Sequence, residues 1–408
     1  MRSVWLLALA ASGCRGILGI EEARVFDAAP DVPALCAMWH PDGIEPCALG
    51  SPKPALELGP GVYTYSTTDA GGRLTDEAGN VRYESAVTAM QADQSQVAVM
   101  SVEALTIDAG AALRVEGKKP LVVISWSTIA VAGAIDAGSH LGVIDAAAHL
   151  AQTVRFGAGA NAACSANVGK DGSNNLTQAG SGGGGGGGYQ GTGGAGAPGV
   201  DALATGGAGG APTTSTVLSG GCPGGASGAA GTRASAPANP SSQATGGAGG
   251  GALRLVAYDA ITVTGAISAN GAGGAGAPTK SACGGGGGGS GGQLMLDAGS
   301  VTISGVLAAN GGGGGGGGDL GQTGRDGADG LAGIDPASGG ATLGCGYQGG
   351  AGSALNQLRG GDGFQSAGAG TACGGGGGGG GAAGVIVIAS AGYAALPTAK
   401  LSPPATLR

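Results

Sequence analysis

The stretch LRLVAYDAITVTGAISANG, residues 253–271, repeats without a gap the pattern of LVVISWSTIAVAGAIDAGS, residues 121–139. Leu253 and Leu255 fall on Leu121 and Val123, Ile261 and Val263 on Ile129 and Val131, Gly265 on Gly133, and Ile267 on Ile135. LMLDAGSVTISGVLAANG, from Leu294, gives the pattern again one residue shorter. LTIDAGAALRVEG, from Leu105, carries its first two-thirds, and VIVIAS, from Val385, reads as a truncated last copy. Each copy alternates apolar and other residues with period two and is rich in Ile, Val and Thr, the pattern of strands with one buried face. The recurring glycine marks a bend. A copy of this size cannot bury its own apolar face and must stack on its neighbours, which is the physical definition of a solenoid. The expected fold is therefore all-β, a parallel β-helix over residues 105–395.

Everything between the copies is glycine-rich: residues 139–250, 271–292 and 311–383. The three inserts leave the repeat at one corner, after DAGS, SANG or AANG. Four runs stand out, Gly182–Gly188, Gly284–Gly289, Gly311–Gly318 and Gly374–Gly381. Fixing a backbone residue costs about 1–2 kcal/mol, so eight ordered glycines cost on the order of 8–16 kcal/mol with no side chain to bury in return. Such runs either stay mobile or find backbone hydrogen-bond partners. Extended chains with three residues per turn leave their peptide groups free to bond neighbours, so a packed polyglycine II bundle is the ordered alternative to flexible spacers. Residues 188–191 and 346–349 both read GYQG, and cysteines abut two of the runs, which favours packing.

Glycine supplies 97 of the 408 residues, charged residues 11% and aromatics 3%, which fits neither a charged disordered tail nor a large aromatic core. The net charge is −8 with only 18 Lys and Arg, so no basic patch is available for nucleic acid and none is expected as a partner. The chain begins MRSVWLLALAASGC. One Arg, an apolar run from Val4 to Ala11 and small residues before Cys14 make an export signal. Its ASGC ending resembles a bacterial lipobox, in which the cysteine is acylated, although Ala11 stands where such motifs usually have Leu. An ordinary secretory signal is the alternative. No other stretch is apolar enough for a transmembrane helix. The expected organisation is a signal at 1–13, a tether at 14–50, a β-rich cap at 51–104, the solenoid at 105–395 and a tail at 396–408.

Eight cysteines without a CxxC motif also suit an exported protein. Cys36 and Cys47 bracket a small loop whose closure is worth about 2–3 kcal/mol. Cys164, Cys222, Cys345 and Cys373 are further disulfide candidates, and Cys283 is the candidate left unpaired.

Candidate chemistry is sparse. GGSGG at 288–292 matches a nucleophile-elbow pattern, but such a match is expected by chance in this composition and no strand-turn-helix unit surrounds it. Asp136, His140, Asp145 and His149 cluster where the first insert begins and could form a mixed N and O metal site or be solvated loop residues. Asp319, Asp326 and Asp329 are hard oxygen donors suited to calcium, without the EF-hand spacing or a full GGxGxD repeat. No cofactor is otherwise expected.

The N-terminal segment with GILGIEEARVFDA, the CAMWHPDGIEPCAL loop, GPGVYTYSTTDAG and the strand repeat broken by polyglycine resemble the glycine-rich surface lipoproteins abundant in myxobacterial genomes. The GGAGGA inserts are similar to the PGRS regions of mycobacterial surface proteins. The resemblance implies an outer-membrane or cell-surface location and a right-handed β-helix-like body, and it implies no activity. The expected role is that of a non-enzymatic surface lipoprotein, structural or adhesive, held to outer-membrane lipid by acylated Cys14 and meeting extracellular polysaccharide or surface proteins. Alternatives are a carbohydrate- or other ligand-binding module using a flat glycine-rich face, and a β-helix polysaccharide lyase or hydrolase.

Overall fold

The structure, a computed structural model, describes residues 39, 41, 44–68, 71–142, 155–162, 164–166, 168–174, 180–199, 204–213, 215–229, 243–278, 282–318, 323–341, 347–364 and 374–408. The chain divides into two units, one of residues 1–40 and 45–51, the other of residues 41–44 and 52–408. In the first, the described residues include a single 3-10 turn, Pro46–Leu49, opened by proline. The second holds every strand among the described residues.

Its strands run in chain order as β1 (Leu56–Leu58), β2 (Gly61–Thr68), β3 (Gly71–Asp76), β4 (Val81–Ser85), β5 (Thr88–Met90), β6 (Gln96–Val102), β7 (Leu105–Ile107) and β8 (Ala111–Gly117). There follow β9 (Leu121–Ser125), β10 (Thr128–Val131), β11 (Ala134–Asp136), β12 (Ala252–Val263), β13 (Ala266–Ser268), β14 (Gln293–Ile303) and β15 (Val306–Ala308). The last are β16 (Val385–Ala389), β17 (Gly392–Ala395), β18 (Lys400–Ser402) and β19 (Thr406–Leu407).

The expected fold is corrected here. In place of one parallel β-helix, the strands form an 11-stranded and an 8-stranded sheet, both mixed, one of them curled into a half-barrel. β2–β3, β3–β4 and β5–β6 are antiparallel. The physical reason lies between Gly61 and Val102. Gly71, Gly79 and Gln94 adopt positive φ, turning the chain back on itself in hairpins. The hairpins then join the edges of the sheets that the repeats extend, so residues 51–104 and the repeats share both sheets.

Within the sheets the repeat dictates register. Leu253 pairs with Leu121, Ile261 with Ile129 and Ile267 with Ile135, all in parallel. Leu294 pairs with Leu253 and with Ile386. Leu105 pairs with Ile129 and Leu113 with Ile135, whereas the strand beside Leu121 is Ala98–Val102. LTIDAGAALRVEG thus matches the second half of the repeat, because an apolar-x-apolar triplet looks alike in either half. The inward residues of both sheets meet in one core, from Leu58 and Tyr65 through Leu121, Ile261 and Val301 to Ile388.

At the bend, Gly133, Gly265 and Gly305 stack. A Cβ on Gly265 would sit 1.8 Å from the Gly133 carbonyl oxygen, and one on Gly305 would sit 1.9 Å from that of Gly265. Only glycine fits there. At the corner where the inserts leave, Ser139 donates its N–H to the Asn270 carbonyl (2.9 Å), and the Asn310 N–H donates to the Asn270 side-chain oxygen (2.7 Å). Each insert is closed at its base. Gly251 donates to Ala137, Gly292 to Ala269 and Gly384 to Ala309, at 2.7–2.8 Å.

The glycine runs are ordered and interior. All residues of Gly182–Gly188, Gly284–Gly289, Gly311–Gly318 and Gly374–Gly381 are buried. Successive N–H groups of the first run donate to different neighbours: Gly183 to Ala197, Gly184 to Gly285, Gly185 to Lys170, then Gly186 to Gly194 and Gly187 to Gly288. The partners recur every third residue, so each run is bonded on three sides. The second run behaves alike, with Gly285 and Gly288 donating to Gly376 and Gly379. Residues outside the ladders of both sheets thereby satisfy their peptide groups through one another.

Candidate functional site

The best-defined polar constellation lies where β11 ends. Asp136 is the last residue of that strand and its side chain is on the outer face, opposite buried Ile135. The chain turns at Gly138, whose N–H caps one Asp136 carboxylate oxygen at 3.0 Å, with the Ser268 hydroxyl on the same oxygen at 3.1 Å. The turn returns His140 to Asp136, its Nε2 2.7 Å from the other oxygen. The Nδ1 of His140 lies 3.2 Å from Asp329, which comes from the third insert. Asp329 is itself fixed by the N–H groups of Leu141 (3.0 Å) and Gly273 (2.9 Å). His140 also exchanges both backbone hydrogen bonds with Arg155, at 2.9 and 2.8 Å.

An imidazole with a carboxylate on each nitrogen is held as the cation, donating on both sides. The hydrogen bonds from Asp136 and Asp329 raise its pKa to about 10, against the opposing effect of burial. Burial pushes the Asp136 carboxyl up, but His140, Gly138 and Ser268 together bring it below the ordinary range. Both nitrogens being engaged, His140 presents no lone pair to a metal, and among the described residues no three His, Cys, Asp or Glu are grouped to hold an ion.

The structure thus joins Asp136 and His140, as the sequence grouped them, and adds Asp329 from the other group. Asp326 lies apart from them in role, its carboxylate receiving the Gly276 N–H at 2.7 Å. Asp145, His149 and Asp319 lie outside the described residues, as do Cys14, Cys36, Cys345 and Cys373. Cys47 is disulfide-bonded. Cys164 and Cys222 are joined, with Cα atoms 5.6 Å apart. Cys283 is fully buried beside Ala277 and Ala282. Ser290 of GGSGG is buried too, its hydroxyl accepting the Cys222 N–H at 2.8 Å. Both GYQG tyrosines, Tyr189 and Tyr347, are buried. The Tyr189 hydroxyl bonds Ser219 and Gln293, and burial raises its pKa to about 12.

Sequence reasoning missed the surroundings of His140. A cleft of about 120 Å³ is lined by Arg114, Glu116, Asp136, Gly138, His140 and Arg155. Arg114 and Glu116 alternate with buried Leu113 and Val115 on β8, which puts both on the outer face beside Asp136, the register partner of Arg114. The alternation was visible in the sequence; Arg155, reached after a long loop, carried no signal.

These features define an all-β protein in which two mixed sheets support a hydrogen-bonded glycine layer. No family model matches the chain, and neither a curated protein nor a solved structure matches it.

Proposed function

We propose that the protein is a non-enzymatic cell-surface lipoprotein with a structural or adhesive role, exported by its N-terminal segment and anchored to outer-membrane lipid through acylated Cys14. The observation that carries this reading is the glycine layer. Glycine supplies 97 of the 408 residues, and the layer built from it has a fixed shape whose interior polar groups hold backbone in place, as Ser181 does in bonding Gly228 and Gly284. Such a body suits display and contact at a surface. The Cys164–Cys222 bond supports export into an oxidising compartment. Because the glycine runs are interior, contact with a polysaccharide or surface protein falls to exposed side chains around them.

The test is metabolic labelling with a fatty-acid analogue followed by protease treatment of intact cells. Wild type takes up label and is digested from outside, and Cys14→Ala takes up none. Equal labelling of the two proteins, or full protection from protease, overturns the proposal.

A further inference from the structure

The outer face of the 8-stranded sheet carries a row of polar residues at matched positions. Thr75 pairs with Thr64, Thr64 with Arg114, Arg114 with Asp136 and Asp136 with Ser268. One pleat along, Glu84, Arg73, Ser66 and Glu116 run in parallel with that row. Side chains at such positions stand about 5 Å apart on one face, so the two rows make a band of hydroxyl, guanidinium and carboxylate groups across the sheet.

The cleft beside His140 interrupts this band and concentrates its charge. Asp136 and Asp329, the carboxylates nearest the imidazole, are already engaged by His140 and by backbone N–H groups. Arg114 and Arg155 are in no ion pair among the described residues. Two guanidinium groups therefore face one small cavity whose local anions are mostly spent, with Glu116 left as an acceptor. Guanidinium pairs planar carboxylate in two-point contact, and a carboxylate acceptor suits sugar hydroxyls. The cleft volume of about 120 Å³ admits one carboxylated residue and leaves the rest of a polymer to lie along the band.

We propose that this cleft and the polar band bind an acidic polysaccharide, one uronate carboxylate seated between Arg114 and Arg155 and its hydroxyls on Glu116. This deepens the adhesive reading by naming the ligand chemistry, and rests on that reading only for its setting at the cell surface.

The test is calorimetric titration of the full-length protein in detergent with an oligogalacturonate and, separately, with its methyl ester, which is neutral. The free acid binds and the ester binds at least about tenfold more weakly, since a charge-assisted contact is lost. Arg155→Gln, at an exposed position, lowers affinity for the acid about tenfold, as does Arg114→Gln. Arg359→Gln, in an exposed pair with Asp362 elsewhere, binds as wild type. Affinity falls with added salt. Equal binding of acid and ester, no binding of the acid, or Arg155→Gln indistinguishable from wild type overturns the proposal. Because the titration uses isolated protein, its failure leaves the location test untouched, and the reverse also holds.

Discussion

A methyl group added at Gly286 would lie 2.0 Å from the Thr245 carbonyl oxygen, whereas one added at Gly333 would meet nothing within 4 Å. The first contact is backbone against a side chain that cannot rotate away, so a rung of the layer must open. Gly286→Ala is expected to lose about 3 kcal/mol or more, and Gly333→Ala to change stability by less than about 0.5 kcal/mol; chemical denaturation of the two variants checks the contrast. His140 offers a second residue-scale test. Its folded pKa, raised to about 10 from the ordinary 6.5, means the protonated clasp contributes fully below pH 6.5 and fades as pH rises through 10. The stability advantage of wild type over His140→Gln should therefore shrink between pH 6.5 and 10. An advantage that stays constant across that range would show that the imidazolium is not what holds Asp136 to Asp329. Little of this was legible beforehand. Asp136 and His140 are four apart and easily grouped, but Asp329 is 189 residues away from His140, and no local pattern announces such a partner.

At the scale of elements, alternation was the readable signal. Ile129, Ile261 and Val301 stack as adjacent rungs because each follows the same turn, and removing one opens a cavity in a dry core: Ile261→Ala should cost about 2–5 kcal/mol in denaturant unfolding. The hairpins before Leu105 were less legible. GVYTYSTT reads as strand under any arrangement, and only the turn geometry at Gly71 and Gly79 sends it back antiparallel, which is why the expected β-helix gives way to two mixed sheets. The Cys164–Cys222 bond joins segments 58 residues apart in sequence. Closing a loop of that length is worth about 4 kcal/mol, so the paired Cys164→Ser and Cys222→Ser variant should lose a large part of that, read as a lowered denaturation midpoint. Connectivity was beyond sequence reasoning, since spacing alone leaves every pairing open.

For the whole molecule, the sheets and the glycine segments depend on each other. The sheets hold the ends of each insert at Ala137, Ala269 and Ala309, which brings the runs side by side. The runs in turn satisfy their N–H groups on three sides, mostly on backbone carbonyls with Ser181 and Ser353 hydroxyls receiving Gly284 and Gly311, and this offsets the backbone entropy that makes isolated polyglycine disordered. The sequence could pose that choice between packing and flexibility; deciding it needs the corner at Ser139, Asn270 and Asn310, where three inserts emerge together. Such a layer should behave as part of one cooperative unit rather than as loops on a scaffold. Hydrogen exchange of the native protein, followed by mass spectrometry over Gly182–Gly188, Gly284–Gly289, Gly311–Gly318 and Gly374–Gly381, tests this most directly. Protection of those amides equal to that of Leu253–Val256 is the predicted result, and exchange at the rate of an unfolded chain while the strands stay protected would contradict the account.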